Sequence, residues 1–315
     1  MVVPVIIDTD PGIDDAIAIA LAAASSELEI IGVTTVAGNT SVRNGTENAL
    51  RLLHLLKRDD IPLAAGADRP LVRTDSQPDV TTHGATGFGG VELPPAPRTA
   101  DSRGAVALAT ELLERAAAPV TIIPIGPLTN IATLLRERPE VRGKIGRIVL
   151  MGGGARVIGN MTPAAEFNIW FDPEAAAEVF ASGIPITMVG LDATHRALTK
   201  PSDWEPLRGG SALATFILGI VDFYAEYHRA AMGTSETAQH DSLAVAAVID
   251  PTLVETESLH VDVECAGQLT KGMTVVDVDR VGRRPPNADV ALGVDRERFT
   301  RELVSRLARL DARLR

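Results

Sequence analysis

The stretch VVPVIIDTDPGIDDAIAIALAAA, residues 2–24, decides the fold. An apolar run, Val5-Ile6-Ile7, closes on Asp8, Pro11-Gly12 turns the chain, and an Ala/Ile/Leu-rich segment starts at Asp14. This reads as a buried strand over 2–8 followed by a helix over 14–24. The same rhythm continues. Strands are expected at 29–36, 120–125, 144–151 and 186–191, and helices at 42–56, 105–117, 130–138 and 173–182. Alternating strands and helices imply an α/β fold with an open, mostly parallel, Rossmann-like central sheet flanked by helices. Ligands of such sheets bind at the carboxyl ends of the strands.

Further along, residues 66–103 are rich in Pro, Gly, Thr and Asp and read as a long loop, of the kind that often serves as a functional lid. The segment 256–294 alternates like β-structure and is expected to form a small β-rich C-terminal addition. An amphipathic helix over 296–315 follows. With no internal repeat and no low-complexity linker, one domain spanning 1–315 is expected.

Composition narrows the function. The formal net charge of −11 argues against a nucleic-acid partner, because phosphate binding needs a basic surface. The apolar stretch 211–233 carries Asp222, Glu226 and Arg229 at helical spacing, so it reads as amphipathic and no membrane span is expected. Cys265 is the only cysteine, which rules out an intrachain disulfide and a cysteine-based zinc site and fits a reducing cytoplasm. No secretory pattern opens the chain, since Asp8 interrupts the apolar run.

The turn after the first strand, DTDPGIDD, packs four carboxylates into eight residues. Asp14 and Asp15 suit a helix N-terminus, but Asp10 does not fit that account. A hard divalent cation, which takes ~6–8 oxygen ligands, would offset the charge. A phosphatase-like Asp-x-Asp motif with Mg2+ is the rival. Other strand ends carry polar groups too. Asn39 follows the second expected strand, and the Ile125 carbonyl lies in a turn before Gly126-Pro127. Met151 precedes three glycines, and Asn160, Glu166 and Asn168 follow in an otherwise fairly apolar span. If that span is extended, Glu166 and Asn168 point to one side, where amide and carboxylate groups can grip a polyhydroxylated ligand. His240-Asp241 opens a late helix, with Asp241 either a cap or a metal ligand and His240 either a surface residue or a titratable acid. Tyr224, Tyr227 and His228 can share one helix face, as packing or as a cover for a ligand.

This ordered set resembles the inosine-uridine-preferring nucleoside hydrolase family. DTDPGIDDA, AGN, GPLTN, MGGG, GN…AEFN…DPEAA and HD stand in the family's order, and the resemblance runs over essentially the whole chain. It implies Ca2+-dependent hydrolysis of the N-glycosidic bond of ribonucleosides. The ion would be held by Asp10, Asp15, Asp241 and the main-chain carbonyl of Ile125. Asp10 would take the proton of the attacking water, through an oxocarbenium-like transition state that Asn168 and Glu166 stabilise. Asp14, Asn39, Met151, Asn160, Glu166, Asn168 and Asp241 would surround the ribose. His240 would be the acid toward the leaving base, His83 would cover the base from a flexible loop, and Tyr227 and His228 would set base preference. The resemblance also implies a homodimer or homotetramer. The alternatives are a non-catalytic nucleoside- or ribose-binding protein and the Mg2+-dependent phosphatase.

Overall fold

The computed structural model describes residues 2–74 and 80–315. Its core is an eight-stranded sheet in the order β3-β2-β1-β4-β5-β6-β12-β9. The first five strands in the chain are β1 (Val3–Thr9), β2 (Leu28–Thr35), β3 (Leu63–Ala65), β4 (Val120–Pro124) and β5 (Ile145–Met151). With β6 (Ile186–Val189) they form the parallel run expected from the alternation. The helices between them are α1 (Ile13–Ala24), α2 (Val42–Leu55), the single turn α3 (Val80–His83), α4 (Ala105–Arg115), α5 (Thr129–Glu137), α6 (Phe167–Phe171) and α7 (Pro173–Phe180). After β6 come the short α8 (Leu191–Thr194), β7 (Leu198–Thr199), α9 (Ala212–Met232), β8 (Thr237–Ala238) and α10 (His240–Ile249). The chain continues through β9 (Val254–Leu259), β10 (Val261–Val263), β11 (Thr274–Val276), β12 (Ala288–Val294) and α11 (Arg296–Leu314).

Residues of β1 such as Val5 and Ile7 are fully buried, as expected for a strand in the middle of a sheet covered on both faces. Two apolar layers result. One joins α1, α9, α10 and α11 to one sheet face, and the other packs α4, α5 and α7 on the opposite face.

The β-rich C-terminal segment divides. β10 and β11 form a separate antiparallel pair, Val261 opposite Val276. β9 and β12 instead extend the central sheet, with β12 parallel to β6 and antiparallel to β9. Alternation alone does not say which sheet a strand joins. Of the expected loop 66–103, residues 75–79 lie outside those described, and the rest is irregular apart from α3. Asp172 caps α7 as its spacing before Pro173 suggests, accepting from the Ala175 N–H at 3.1 Å. Thr129 is the first residue of α5 and donates its hydroxyl to Asp172 Oδ2 at 2.6 Å. No helix among the described residues is long and apolar enough to cross a membrane.

Candidate active site

Pairing places Asp8 opposite Thr34 of β2 and Pro124 of β4, so the segments carrying Asp10, Asn39 and Ile125 leave the sheet side by side. Asp10, Asp14, Asp15 and Asp241 are all buried there. Carboxylate oxygens of Asp14, Asp15 and Asp241 lie within 4.8 Å of one another. A cation with ligands at ~2.4 Å brings oxygens no farther apart than ~4.8 Å, so this spacing fits one ion. The orphaned atoms fit too: Asp10 Oδ1 and Asp14 Oδ1 are buried without a hydrogen-bond partner. An all-oxygen donor set suits a hard divalent cation rather than a metal that favours thiolate or imidazole.

Burial and mutual repulsion raise the proton affinity of this cluster. Burial, reinforced by Asp15, lifts Asp14 to about 8. Burial with Asp15 alongside holds Asp10 well above the usual carboxylate range, and burial with Asp14 and Asp15 does the same to Asp241. Asp14, expected only at the ribose, stands in the acidic cluster with Asp15 and Asp241, and Asp10 lies beside it and is repelled by it.

The turn 8–15 is built to hold these groups. Asp15 accepts from the Thr9 hydroxyl at 2.5 Å, the Gly12 N–H at 2.9 Å and Asn39 Nδ2 at 3.0 Å. Asn39 also gives its N–H to Asp10 Oδ2 at 2.6 Å. Asp8 stays structural: its Oδ1 accepts from Thr34 at 2.5 Å and from Asn130 Nδ2 at 2.8 Å, and burial lifts its pKa to about 7. A fully buried Asp8 tied to two side chains is not an accessible phosphatase nucleophile.

Asn168 links two strand ends, donating Nδ2 to the Ile125 carbonyl at 3.0 Å and the Met151 carbonyl at 3.2 Å. The span does not stay extended through Asn168, however: Glu166 is extended, and the helix starts at Phe167. Glu166 is the N-cap of α6 and Asn168 lies in its first turn. The Glu166 carboxylate accepts the N–H groups of Gly153, Asn168 and Ile169 at 2.9–3.1 Å, which pins the triple-glycine turn to α6. Helical propensity of a five-residue segment is too weak to announce itself in sequence. Asn160 is exposed, and its Oδ1 accepts from the Phe167 N–H at 3.0 Å.

The opposite wall is aromatic. His83 is buried, accepts the Ile13 N–H on Nδ1 at 3.1 Å and stacks on Tyr224 with centroids 6.5 Å apart. His228 meets Tyr224 and Tyr227 edge-on at 4.5 Å and 5.9 Å, so the expected shared face of α9 forms. Tyr224 and His228 are buried there and Tyr227 is half-buried. His240 opens α10 with Nδ1 2.8 Å from Thr194 Oγ1. Burial and the neighbouring rings of His195, His228 and His83 push its pKa down to about 3, so it stays neutral at physiological pH. The ring expected to act as the acid therefore sits where burial disfavours its charged form.

A family model described as inosine-uridine preferring nucleoside hydrolase matches residues 5–301. The chain belongs to that family. It is 46% identical over 309 residues to the pyrimidine-specific ribonucleoside hydrolase RihA of Salmonella enteritidis, covering 98% of this chain and 99% of the relative. Among solved structures, a purine-preferring ribonucleoside hydrolase from Gardnerella vaginalis superposes with a TM-score of 0.92 at 35% identity, covering 98% of this chain and 99% of that one. The plant nucleoside hydrolase PpNRh1 gives 0.91 at 36%, covering 97% and 98%. This nucleoside hydrolase is accordingly an N-ribohydrolase by class.

Some residues of this nucleoside hydrolase site went unmarked in the sequence. A Cβ on Gly38 would sit 2.0 Å from Asp10 Oδ2, and one on Gly126 2.5 Å from Asp10 Oδ1, so both positions need glycine beside the Asp10 carboxylate. Both lie in the quoted motifs AGN and GPLTN, which was the available signal. Asp192 accepts the Ala155 and Arg156 N–H groups at 2.6 and 2.8 Å, and Thr274 of β11 exchanges two hydrogen bonds with Gly154 at 2.6 and 2.9 Å. Nothing local in the sequence marks these two long-range clamps.

Proposed function

We propose that this chain is a Ca2+-dependent ribonucleoside N-ribohydrolase with Asp10 as base, acting preferentially on pyrimidine ribonucleosides. The observation that carries the reading is the buried carboxylate cluster with two orphaned oxygens, Asp10 Oδ1 and Asp14 Oδ1. Asp14, Asp15 and Asp241, with Asp10 and the Ile125 carbonyl, would hold the ion. When bound, Ca2+ supplies positive charge that stabilises the carboxylates and polarises oxygen ligands.

The protein's own groups do the rest. Asp10 Oδ1 faces no protein donor, which leaves it available to accept a proton as a general base. It takes the proton of the water that attacks C1′ of the ribose. Asn39 fixes the second Asp10 oxygen, so the carboxylate cannot rotate away. The Asn168 amide spends its nitrogen on the Ile125 and Met151 carbonyls, which leaves its oxygen to meet the positive charge that develops on the sugar. Glu166 keeps a lone pair for a ribose hydroxyl beyond its three backbone bonds. Asn160 would join the ribose only by exchanging its bond to Phe167. Neutral His240 offers a hydrogen bond to the leaving base, and His83, Tyr227 and His228 line the base side.

The pyrimidine preference rests on the relatives at 46% identity, which are named pyrimidine-specific. The test is free ribose released from uridine, cytidine, inosine, adenosine and nicotinamide riboside, before and after chelation and after Ca2+ is returned. Uridine and cytidine should be cleaved fastest and chelation should abolish turnover. Binding without ribose release would instead support a nucleoside-binding protein.

A further inference from the structure

Thr194 ends α8, fully buried, with its hydroxyl 2.8 Å from His240 Nδ1. Its own N–H is spent on the Gly190 carbonyl at 3.1 Å. Among the described residues, His240 Nδ1 is the one hydrogen-bond partner of Oγ1. A hydroxyl carries one proton to give, and an imidazole nitrogen accepts it only where that nitrogen carries no proton of its own. If Nδ1 carried the imidazole proton, the buried Thr194 hydroxyl hydrogen would have no acceptor, which is costly. If the hydroxyl donates to Nδ1, both groups are satisfied and the ring proton sits on Nε2. The bond is held in place from α8, because Asp192 of the same turn grips Ala155 and Arg156 in the loop after β5. The His195 ring flanks His240 edge-on with centroids 5.8 Å apart.

We propose that Thr194 is a positioning residue that selects the Nε2–H tautomer of His240 and so makes it a hydrogen-bond donor to the leaving base. The role in turnover rests on the reading of His240 given above, whereas the tautomer does not. Thr194 touches no substrate and acts only through the ring. The interaction is a hydrogen bond from Nε2–H to the charge building on the base, with the proton staying on Nε2. Without the hydroxyl, the ring can carry its proton on Nδ1 and offer the base a lone pair, which repels that charge.

The experiment has two arms. Long-range proton–nitrogen correlation spectra of the full chain labelled with 15N-histidine read the tautomer, and His240→Gln identifies the signal. Wild type should show protonated Nε2 with Nδ1 as acceptor, and Thr194→Val should lose that selection. Protonated Nδ1 in the wild type overturns the proposal. In the kinetic arm, Thr194→Val should lower kcat on uridine roughly tenfold to a hundredfold at nearly constant KM. It should spare p-nitrophenyl riboside, whose leaving group needs no such donor, and Thr194→Ser should restore uridine turnover. Equal losses on both substrates overturn the proposal, because they mark a structural effect. If His240→Gln leaves uridine turnover intact while the spectra show Nε2–H, the leaving-base reading fails and the tautomer assignment stands.

Discussion

Asn39 donates its backbone N–H to Asp10 Oδ2 across 2.6 Å, and the glycine before it closes the same contact from the side. Gly38 and Gly126 bracket the two oxygens of one carboxylate, leaving a methyl group no room at either position. Gly38→Ala should therefore turn the Asp10 side chain without touching its chemistry. The expected result is at least a tenfold drop in kcat with the fold intact by circular dichroism. Asp10→Ala, which removes the base, should cost roughly a thousandfold. Free-ribose assays check both, and near-normal turnover by Asp10→Ala would remove Asp10 from the mechanism.

A second expectation concerns pH and the cation together. Asp8 at about 7 and Asp14 at about 8 titrate above their unfolded values, and Asp10 and Asp241 are raised as well. Between about pH 4 and 8 the cation-free native state binds more protons than the unfolded chain, so its stability falls as pH rises. Each tenfold difference in proton affinity is worth about 1.4 kcal/mol. Melting curves in EDTA should show Tm dropping from pH 5 to pH 8. Added Ca2+ should raise Tm more at pH 8 than at pH 5, where protons compete for the same oxygens. A flat EDTA profile with no Ca2+ effect at pH 8 would contradict this.

The aromatic face of α9 predicts a split between binding the sugar and choosing the base. Tyr227 is half-buried and packs toward His228, which in turn touches Tyr224. Tyr227→Phe or His228→Ala should change the uridine-to-inosine ratio of kcat/KM severalfold. Inhibition by free ribose should stay the same. Parallel losses on both nucleosides would return these residues to simple packing.

Thr274 offers a test of the long-range clamp. Its hydroxyl both donates to and accepts from Gly154, although the two residues are far apart in the chain. Thr274→Val keeps the shape and removes both bonds, so urea unfolding should show a loss of about 1–2 kcal/mol. Because Gly154 belongs to the turn that Glu166 pins, KM should rise as well. Unchanged KM would separate β11 from the site.

Asp10, Asn39, Ile125 and Met151 were legible in the sequence because they end or follow strands, where a parallel sheet puts its ligands. The central strands were legible for a similar reason: runs such as Val120–Pro124 are apolar on both faces. What stayed hidden was set by partners distant in sequence. Glu166 reads as a free carboxylate until the glycine turn at Gly153 is folded onto it. His240 reads as an ordinary imidazole until burial and the charges of His195, His228 and His83 act on it. β9 and β12 read as an appendage because alternation reports a face and not a neighbour.

The position of β12 between β6 and β9 has a consequence for synthesis. Translation delivers β6 about a hundred residues before β12. Until then β6 has an unpaired edge, and β9, made earlier than β12, has no place in the sheet. An emerging chain of this kind exposes a ready template for strand addition by other chains. Nascent chains halted just short of residue 288 should be the form most in need of a chaperone, whereas a few residues more would let the last strand slot in and seal the sheet.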